Sequence, residues 1–175
     1  MVKKMKAALV LGYGVSGKAA AEYLCFKGYQ VIAVDKQKQK NANESKAKEG
    51  NQNSNLSFVL DDQKSLNENL DFKNIKRKIS LLVVSPGIAS DHPLILKAQK
   101  QNIEVIGEAE LALRFLKNPA IAVTGTNGKT TVASLIAFVL NYAGKKAVAV
   151  GNIGKSLSSF LLEKELKLIK TKTCK

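Results

Sequence analysis

The chain is poor in the residues that staple small proteins or bind metals. Of its 175 residues two are cysteine, Cys25 and Cys174. Two cysteines make no disulfide framework, and a reducing, cytoplasmic setting fits them. Cys25 falls in a helical pattern and reads as core or surface filler. The single histidine, His92, precedes Pro93 at an expected helix start. With no partner cluster it offers neither a metal site nor a triad, so a helix cap or surface position is expected. Arginine is scarce too: Arg77 and Arg114 stand alone among 28 basic residues. The net charge of +14 would by itself suggest nucleic acid. Base readout and phosphate forks favour arginine, and no aromatic residues interleave the lysines, so no nucleic-acid partner is expected. The lysines gather in residues 36–55 and 164–175 and read as solvated surface. No apolar run approaches the roughly 18 residues of a membrane span. Glycines and Lys18 interrupt the short apolar run after Met-Val-Lys-Lys-Met-Lys, so neither a membrane segment nor a secretory signal is expected.

What the chain does have is alternation. Short apolar runs at 7–11, 29–34, 56–60, 79–84 and 103–106 read as strands. Helical patterns follow at 18–27, 93–101 and 108–116. Residues 36–55 are rich in Lys, Gln, Asn and Glu and read as a solvated loop or frayed helix, and 61–78 as ambiguous with a helix inside. Asn118-Pro119 reads as a linker. A second unit then begins, with a strand at 121–123, a helix at 132–143, a strand at 147–150 and a helix at about 156–168. The expected fold class is α/β: a Rossmann-like parallel-sheet domain over residues 1–117, then the start of a phosphate-loop α/β domain over 118–175.

Two glycine-rich turns carry the chemistry. Gly12, Gly14 and Gly17 form Gly-x-Gly-x-x-Gly after a strand and before a helix, and Asp35 ends the next strand about 20 residues later, where a ribose-binding acid belongs. This context points to a nucleotide diphosphate. The alternative for the glycines is a tight turn needed only for helix–strand packing. The second turn, Gly125-Thr126-Asn127-Gly128-Lys129-Thr130-Thr131, lies between an apolar run and a helix and ends in Gly-Lys-Thr, as in a phosphate-binding loop. Lys129 would reach the β- and γ-phosphates of ATP, and the Thr130 hydroxyl would hold Mg²⁺. A lysine in a first helical turn opposes the helix dipole unless an anion is present. The usual first glycine of such loops would fall at Val123 and stands at Gly125 instead, so the spacing marks a sub-type. Ser85-Pro86-Gly87-Ile88 and Gly151-Asn152-Ile153-Gly154 follow strands and by themselves are turn signals.

Together these motifs, with Gly107-Glu-Ala-Glu-Leu111, resemble the Mur ligases of peptidoglycan synthesis, and among them the member that adds D-glutamate. The resemblance runs from Ala7 to about Leu166. It implies that the first domain holds the UDP of UDP-N-acetylmuramoyl-L-alanine, not a nicotinamide. Gly14, Val15 and Ser16 would lie at the diphosphate, Asp35 and Lys36 at the uridine, and Ser85, Pro86 and Gly87 along the same site. Gly125 to Thr131 would bind ATP, and Asn152 the sugar-peptide part. Such enzymes are ADP-forming acid–amino-acid ligases: the substrate carboxylate attacks the γ-phosphate, and the D-glutamate amine displaces phosphate from the acyl phosphate. No further partner is implied, and a monomer is expected.

The sequence also departs from that family. Where the family has a strand bearing a Mg²⁺-binding glutamate, this chain has Lys167-Leu-Ile-Lys-Thr-Lys-Thr-Cys-Lys175. It also lacks the family's downstream lysine, histidine and D-glutamate-binding domain; three domains would need on the order of 400 residues. The sequence reading therefore expects a truncated, inactive fragment, with the abrupt lysine-rich end as the mark of a frameshift or early stop. The alternative is a module that binds a UDP-sugar or nucleotide without catalysis.

Overall fold

The computed structural model describes residues 6–36, 55–61, 79–151 and 153–173. Five strands, β1 (Ala7–Leu11), β2 (Gln30–Asp35), β3 (Leu56–Leu60), β4 (Ile79–Val84) and β5 (Glu104–Gly107), form one sheet in the order β3-β2-β1-β4-β5. Every pairing is parallel. The apolar runs are nearly continuous because both faces are covered; β1 is buried along its whole length. Helices α1 (Val15–Phe26) and α3 (Glu108–Phe115) cover one face, where Ala20, Ala21, Leu24 and Leu111 meet Ala8, Val10, Val31, Ala33 and Val83. Helix α2 (Pro93–Lys100) covers the other, with Leu94, Ile95 and Ala98 against Leu9, Leu11 and Leu82. Cys25 is buried in the first of these clusters, as expected. His92 caps α2: its Nδ1 accepts from the Leu94 amide at 3.2 Å, and its Nε2 lies 3.1 Å from Asp61 Oδ2. The expectations for residues 37–54 and 62–78 lie outside the described residues.

The second unit differs from its sequence pattern. Neither the strand expected at 121–123 nor the one expected at 147–150 forms. A strand is held by ladder bonds to neighbours, and two short strands alone are marginal. Asn141 instead takes the backbone of Ala147: its amide donates to the Ala147 carbonyl at 2.8 Å, and its oxygen accepts from the Ala147 amide at 3.1 Å. Helix α4 (Lys129–Tyr142) starts three residues before the apolar pattern does and buries none of its side chains. Val132, Leu135, Phe138, Val139 and Tyr142 are exposed along it.

The last helix, α5 (Leu157–Thr173), runs beyond the expected end at 168 and through most of the lysine-rich tail. It packs on α1 and α3. Leu161 is buried against Tyr23 and Ala112, and Phe26, Phe115, Leu157 and Phe160 close around them. The Tyr23 hydroxyl donates to Glu165 Oε1 at 2.7 Å, and Lys27 Nζ lies 2.5 Å from Glu165 Oε2. Lys164 Nζ donates to Asn118 Oδ1.

Candidate nucleotide and phosphate sites

The strand order places a topological switch between β1 and β4, whose crossovers leave in opposite directions, and open parallel sheets bind ligands at the carboxyl edge there. The two loops leaving that edge are Gly12–Ser16 and Ser85–Ile88. They are bonded to each other. Ser85 Oγ donates to the Gly12 carbonyl at 2.7 Å, and the Ser85 amide donates to the Leu11 carbonyl at 2.9 Å. The Gly12 amide donates to Val34 O at 2.8 Å, which ties the loop to β2 as well. Gly12 turns with φ +83°, and a Cβ on Gly17 would lie 1.8 Å from the Gly12 carbonyl oxygen. Only glycine lets α1 start so close under the loop.

Asp35 holds this loop from β2. Its Oδ2 accepts from the Tyr13 amide at 2.6 Å. The signal for this bond was the acid at the end of β2; the sequence motif did not show that the loop backbone is its partner. Tyr13 is buried, with its ring edge-on to Phe58 at 4.7 Å. Burial, with the charges of Glu22 and Cys25, pushes its hydroxyl up to about 12, so it stays neutral. Gly14 is the N-cap of α1 and supplies no side-chain cap. The amides of the first turn, from the exposed Val15 and the half-buried Ser16, are thus left without a side-chain acceptor, the arrangement that receives a phosphate. Lys36, Pro86 and Gly87 are exposed at the same carboxyl edge.

The second loop is shaped by glycine. Gly125 has φ +148° and Gly128, the N-cap of α4, φ +75°; again no side chain caps the helix. Lys129 Nζ donates to the carbonyls of Gly125 at 2.5 Å and Thr126 at 3.0 Å, so the exposed ammonium folds back over the loop. Thr126, Asn127, Thr130 and Thr131 are exposed around it. Open helix amides and a lysine in one concave turn fit the phosphates of ATP. For Mg²⁺ the fit is thinner. Among the described residues no three His, Cys, Asp or Glu side chains gather to hold a metal. Asn152 lies outside the described residues; the Gly151 amide donates to the Lys155 carbonyl at 2.8 Å.

Sequence reasoning used Glu108 only as part of a motif. In the structure it is buried at the start of α3, and its Oε1 accepts from the Ser158 amide in the first turn of α5 at 2.8 Å. The signal was available: an acidic residue directly after an apolar strand, in a helix that turns its apolar side to the core.

Residues 6–107 match the family described as Mur ligase MurD-like, N-terminal domain, and residues 123–173 match the Mur ligase middle domain. Among curated proteins the chain is similar to a UDP-N-acetylmuramoylalanine–D-glutamate ligase of Protochlamydia amoebophila, 44% identical over 90% of this chain and 33% of that protein. The enzyme of the same name from Syntrophus aciditrophicus is 38% identical over 87% of this chain and 32% of its own length. The chain thus spans about a third of the length of these relatives. Among solved structures, a UDP-N-acetylmuramate-alanine ligase of Thermotoga maritima aligns over 80% of this chain and 30% of its own, at 22% identity and a TM-score of 0.47. Over its first domain and into the segment that carries the phosphate loop, the chain belongs to the Mur ligase family, with a first domain of the MurD-like kind.

Proposed function

We propose that the chain binds UDP-N-acetylmuramoyl-L-alanine on its five-stranded sheet and ATP on the Gly125–Thr131 loop, as part of a cytoplasmic ligase that adds D-glutamate to that substrate. The observation that carries the reading is the bonded pair of loops at the switch between β1 and β4, steadied by Asp35. The uridine lies toward β2, where Asp35 and Lys36 end the strand. The diphosphate takes the amides of Val15 and Ser16, and Ser85 to Gly87 border it on the β4 side. ATP phosphates take the first-turn amides of α4, with Lys129 turning from the loop carbonyls to the phosphate oxygens and Thr130 as a ligand of the accompanying Mg²⁺. That ion neutralises phosphate charge when bound. The residues of this chain position and neutralise; the acyl phosphate and the attack of the D-glutamate amine belong to the whole ligase reaction, which forms ADP. We propose that this stretch of 175 residues, taken on its own, is a monomer that binds both nucleotides and does not by itself complete the ligation.

Calorimetric titration tests this. UDP-N-acetylmuramoyl-L-alanine and Mg·ATP are each expected to give saturable heat, and NADH none. Absence of heat with UDP and its sugar-peptide would refute the assignment of the first site. ADP release dependent on D-glutamate would refute the absence of ligation.

A further inference from the structure

Hydrogen bonds between distant residues close a circuit around the carboxyl end of β2. Asp35 ends that strand, and its Oδ2 accepts from the Tyr13 amide in the first loop. Its backbone carbonyl accepts from the amide of Asp61, the residue after β3, at 2.8 Å. Asp61 Oδ2 in turn lies 3.1 Å from His92 Nε2. His92 ends the segment that begins at Ser85, and Ser85 is bonded back to the first loop through the Gly12 carbonyl. In the strand order β3-β2-β1-β4 this segment leaves β4 and reaches the end of β3, so it crosses the carboxyl edge of β1 and β2. It does so on the side covered by α2, where Ile88 packs against the cluster of Leu11, Val34 and Leu94.

The bond between Asp61 and His92 closes the circuit, and the His92 ring is oriented for it. Its Nδ1 accepts from the Leu94 amide at 3.2 Å, so that nitrogen carries no hydrogen. The ring hydrogen is then on Nε2, which donates to Asp61. One nitrogen caps α2 and the other ties the end of the segment to β3. The Asp61 side chain is 5% exposed, and a carboxylate so buried is costly to leave unpaired.

We infer that His92 is a positioning residue for the nucleotide site: by closing the circuit it holds the Ser85–Gly87 turn and the first loop at a fixed separation around Asp35. His92 touches no substrate and acts through the segment it ends. Ser85 fixes the start of that segment, Ile88 rests on the core in its middle, and the Asp61 tie fixes its end. Pro86 and Gly87 stay exposed between these anchors, and Gly87 turns with φ +95°. Leu94 and Ile95 also seat the start of α2 on the sheet. Loss of the tie therefore loosens the turn without releasing it, and the expected effect on binding is a modest factor.

The inference rests on the proposed uridine-nucleotide site, and the test keeps the two apart. UDP is titrated by calorimetry into the full chain and into its His92→Asn and His92→Gln variants. Asparagine puts an acceptor where Nδ1 stands and keeps the cap, but ends short of Asp61. Glutamine puts an amide donor where Nε2 stands and keeps the tie, but gives up the cap. His92→Asn is expected to lose UDP affinity by about five-fold, the scale of one net hydrogen bond, and His92→Gln to stay within about two-fold of wild type. Each variant loses one bond and should melt a few degrees lower. A role in stability alone would weaken UDP binding in both variants or in neither, and either result overturns the inference. A loss confined to His92→Gln does so too. A wild type that gives no heat with UDP overturns the substrate reading itself, and the inference falls with it. His92 is the only histidine of the chain, so the imidazole nitrogen NMR signals of the unaltered protein report on it alone. They are expected to show hydrogen on Nε2 and none on Nδ1, with the Nε2 signal moving in Asp61→Ala. A hydrogen on Nδ1, or an Nε2 signal indifferent to Asp61→Ala, refutes the tie independently of any ligand.

Discussion

Gly17→Ala puts the close approach of α1 and the first loop to a quantitative test. A Cβ at this position would lie 1.8 Å from the Gly12 carbonyl oxygen, 2.6 Å from Ser85 Oγ and 2.9 Å from the Gly12 carbonyl carbon. Two of these three atoms are backbone, and both sit in a bonded frame. Moving the Gly12 carbonyl breaks its bond from Ser85 Oγ, and moving the Gly12 residue strains the amide bond to Val34. Moving α1 outward instead opens the layer where Ala20, Ala21 and Leu24 meet β1 and β2. Either route combines overpacking, about 1–3 kcal/mol, with a lost buried hydrogen bond, about 1 kcal/mol. The expected loss is therefore about 2–4 kcal/mol, which lowers the melting temperature of a chain of this size by roughly 4–16 °C. Urea denaturation followed by circular dichroism measures it. Gly14→Ala is the control: nothing lies within 4 Å of its added methyl, and its φ of −72° suits alanine, so its loss should stay within about 1 kcal/mol while UDP binding weakens. If Gly17→Ala unfolds at the same urea concentration as wild type, α1 does not pack as described.

The remaining predictions concern the second loop, the docked helix and the exposed face. Lys129→Ala removes the ammonium that bridges Gly125 and Thr126; Mg·ATP affinity is expected to fall by at least about ten-fold while UDP binding holds, as read by calorimetry. Tyr23→Phe removes the buried donor to Glu165 and should destabilise by about 1 kcal/mol in urea melts. Glu165 also gives this contact a pH dependence. Burial raises its carboxyl pKa, but the bonds from Lys27 and Tyr23, with the charges of Lys27 and Lys117, outweigh burial and hold it below the ordinary 4.5. The unfolded chain then binds the extra proton first. The stabilisation is complete above that ordinary value and fades as pH falls through it toward the lowered folded value, so Glu165→Gln should flatten the acid limb of a melting-temperature profile. Finally, Leu135→Glu with Phe138→Glu replaces two exposed apolar groups on α4. The pair should leave both the melting temperature and the monomeric sedimentation nearly unchanged; a large drop in melting temperature would mean that this face is packed.

The strands of the first unit were legible from their apolar runs, whereas the strands expected in the second unit do not form. The strands β1, β3 and β4 fall on the apolar runs at 7–11, 56–60 and 79–84, because a strand covered on both faces leaves an unbroken apolar signature. The runs at 121–123 and 147–150 carry a similar signature and form no strand, since a ladder needs neighbours that a local pattern does not supply. The lysine-rich end looked like a tail; it continues a helix whose first half is docked on Tyr23, Ala112 and Phe115, contacts more than a hundred residues away for Tyr23, while Leu166, Leu168 and Ile169 stay exposed.

By itself the sequence determined where the chain turns and which turns carry the glycine pattern of a phosphate-binding loop. Glycines at 12, 14, 17, 125 and 128, a lysine at 129 and an acid at 35 act through local backbone geometry, and local geometry is written in neighbouring residues. Only the tertiary structure decided that β1 lies between β2 and β4, that Asp35 spends an oxygen on the Tyr13 amide, that Ser85 locks the two loops together, and that Glu108 caps a helix 50 residues away. Each of these joins groups far apart in the chain, and their pairing follows from how the layers pack.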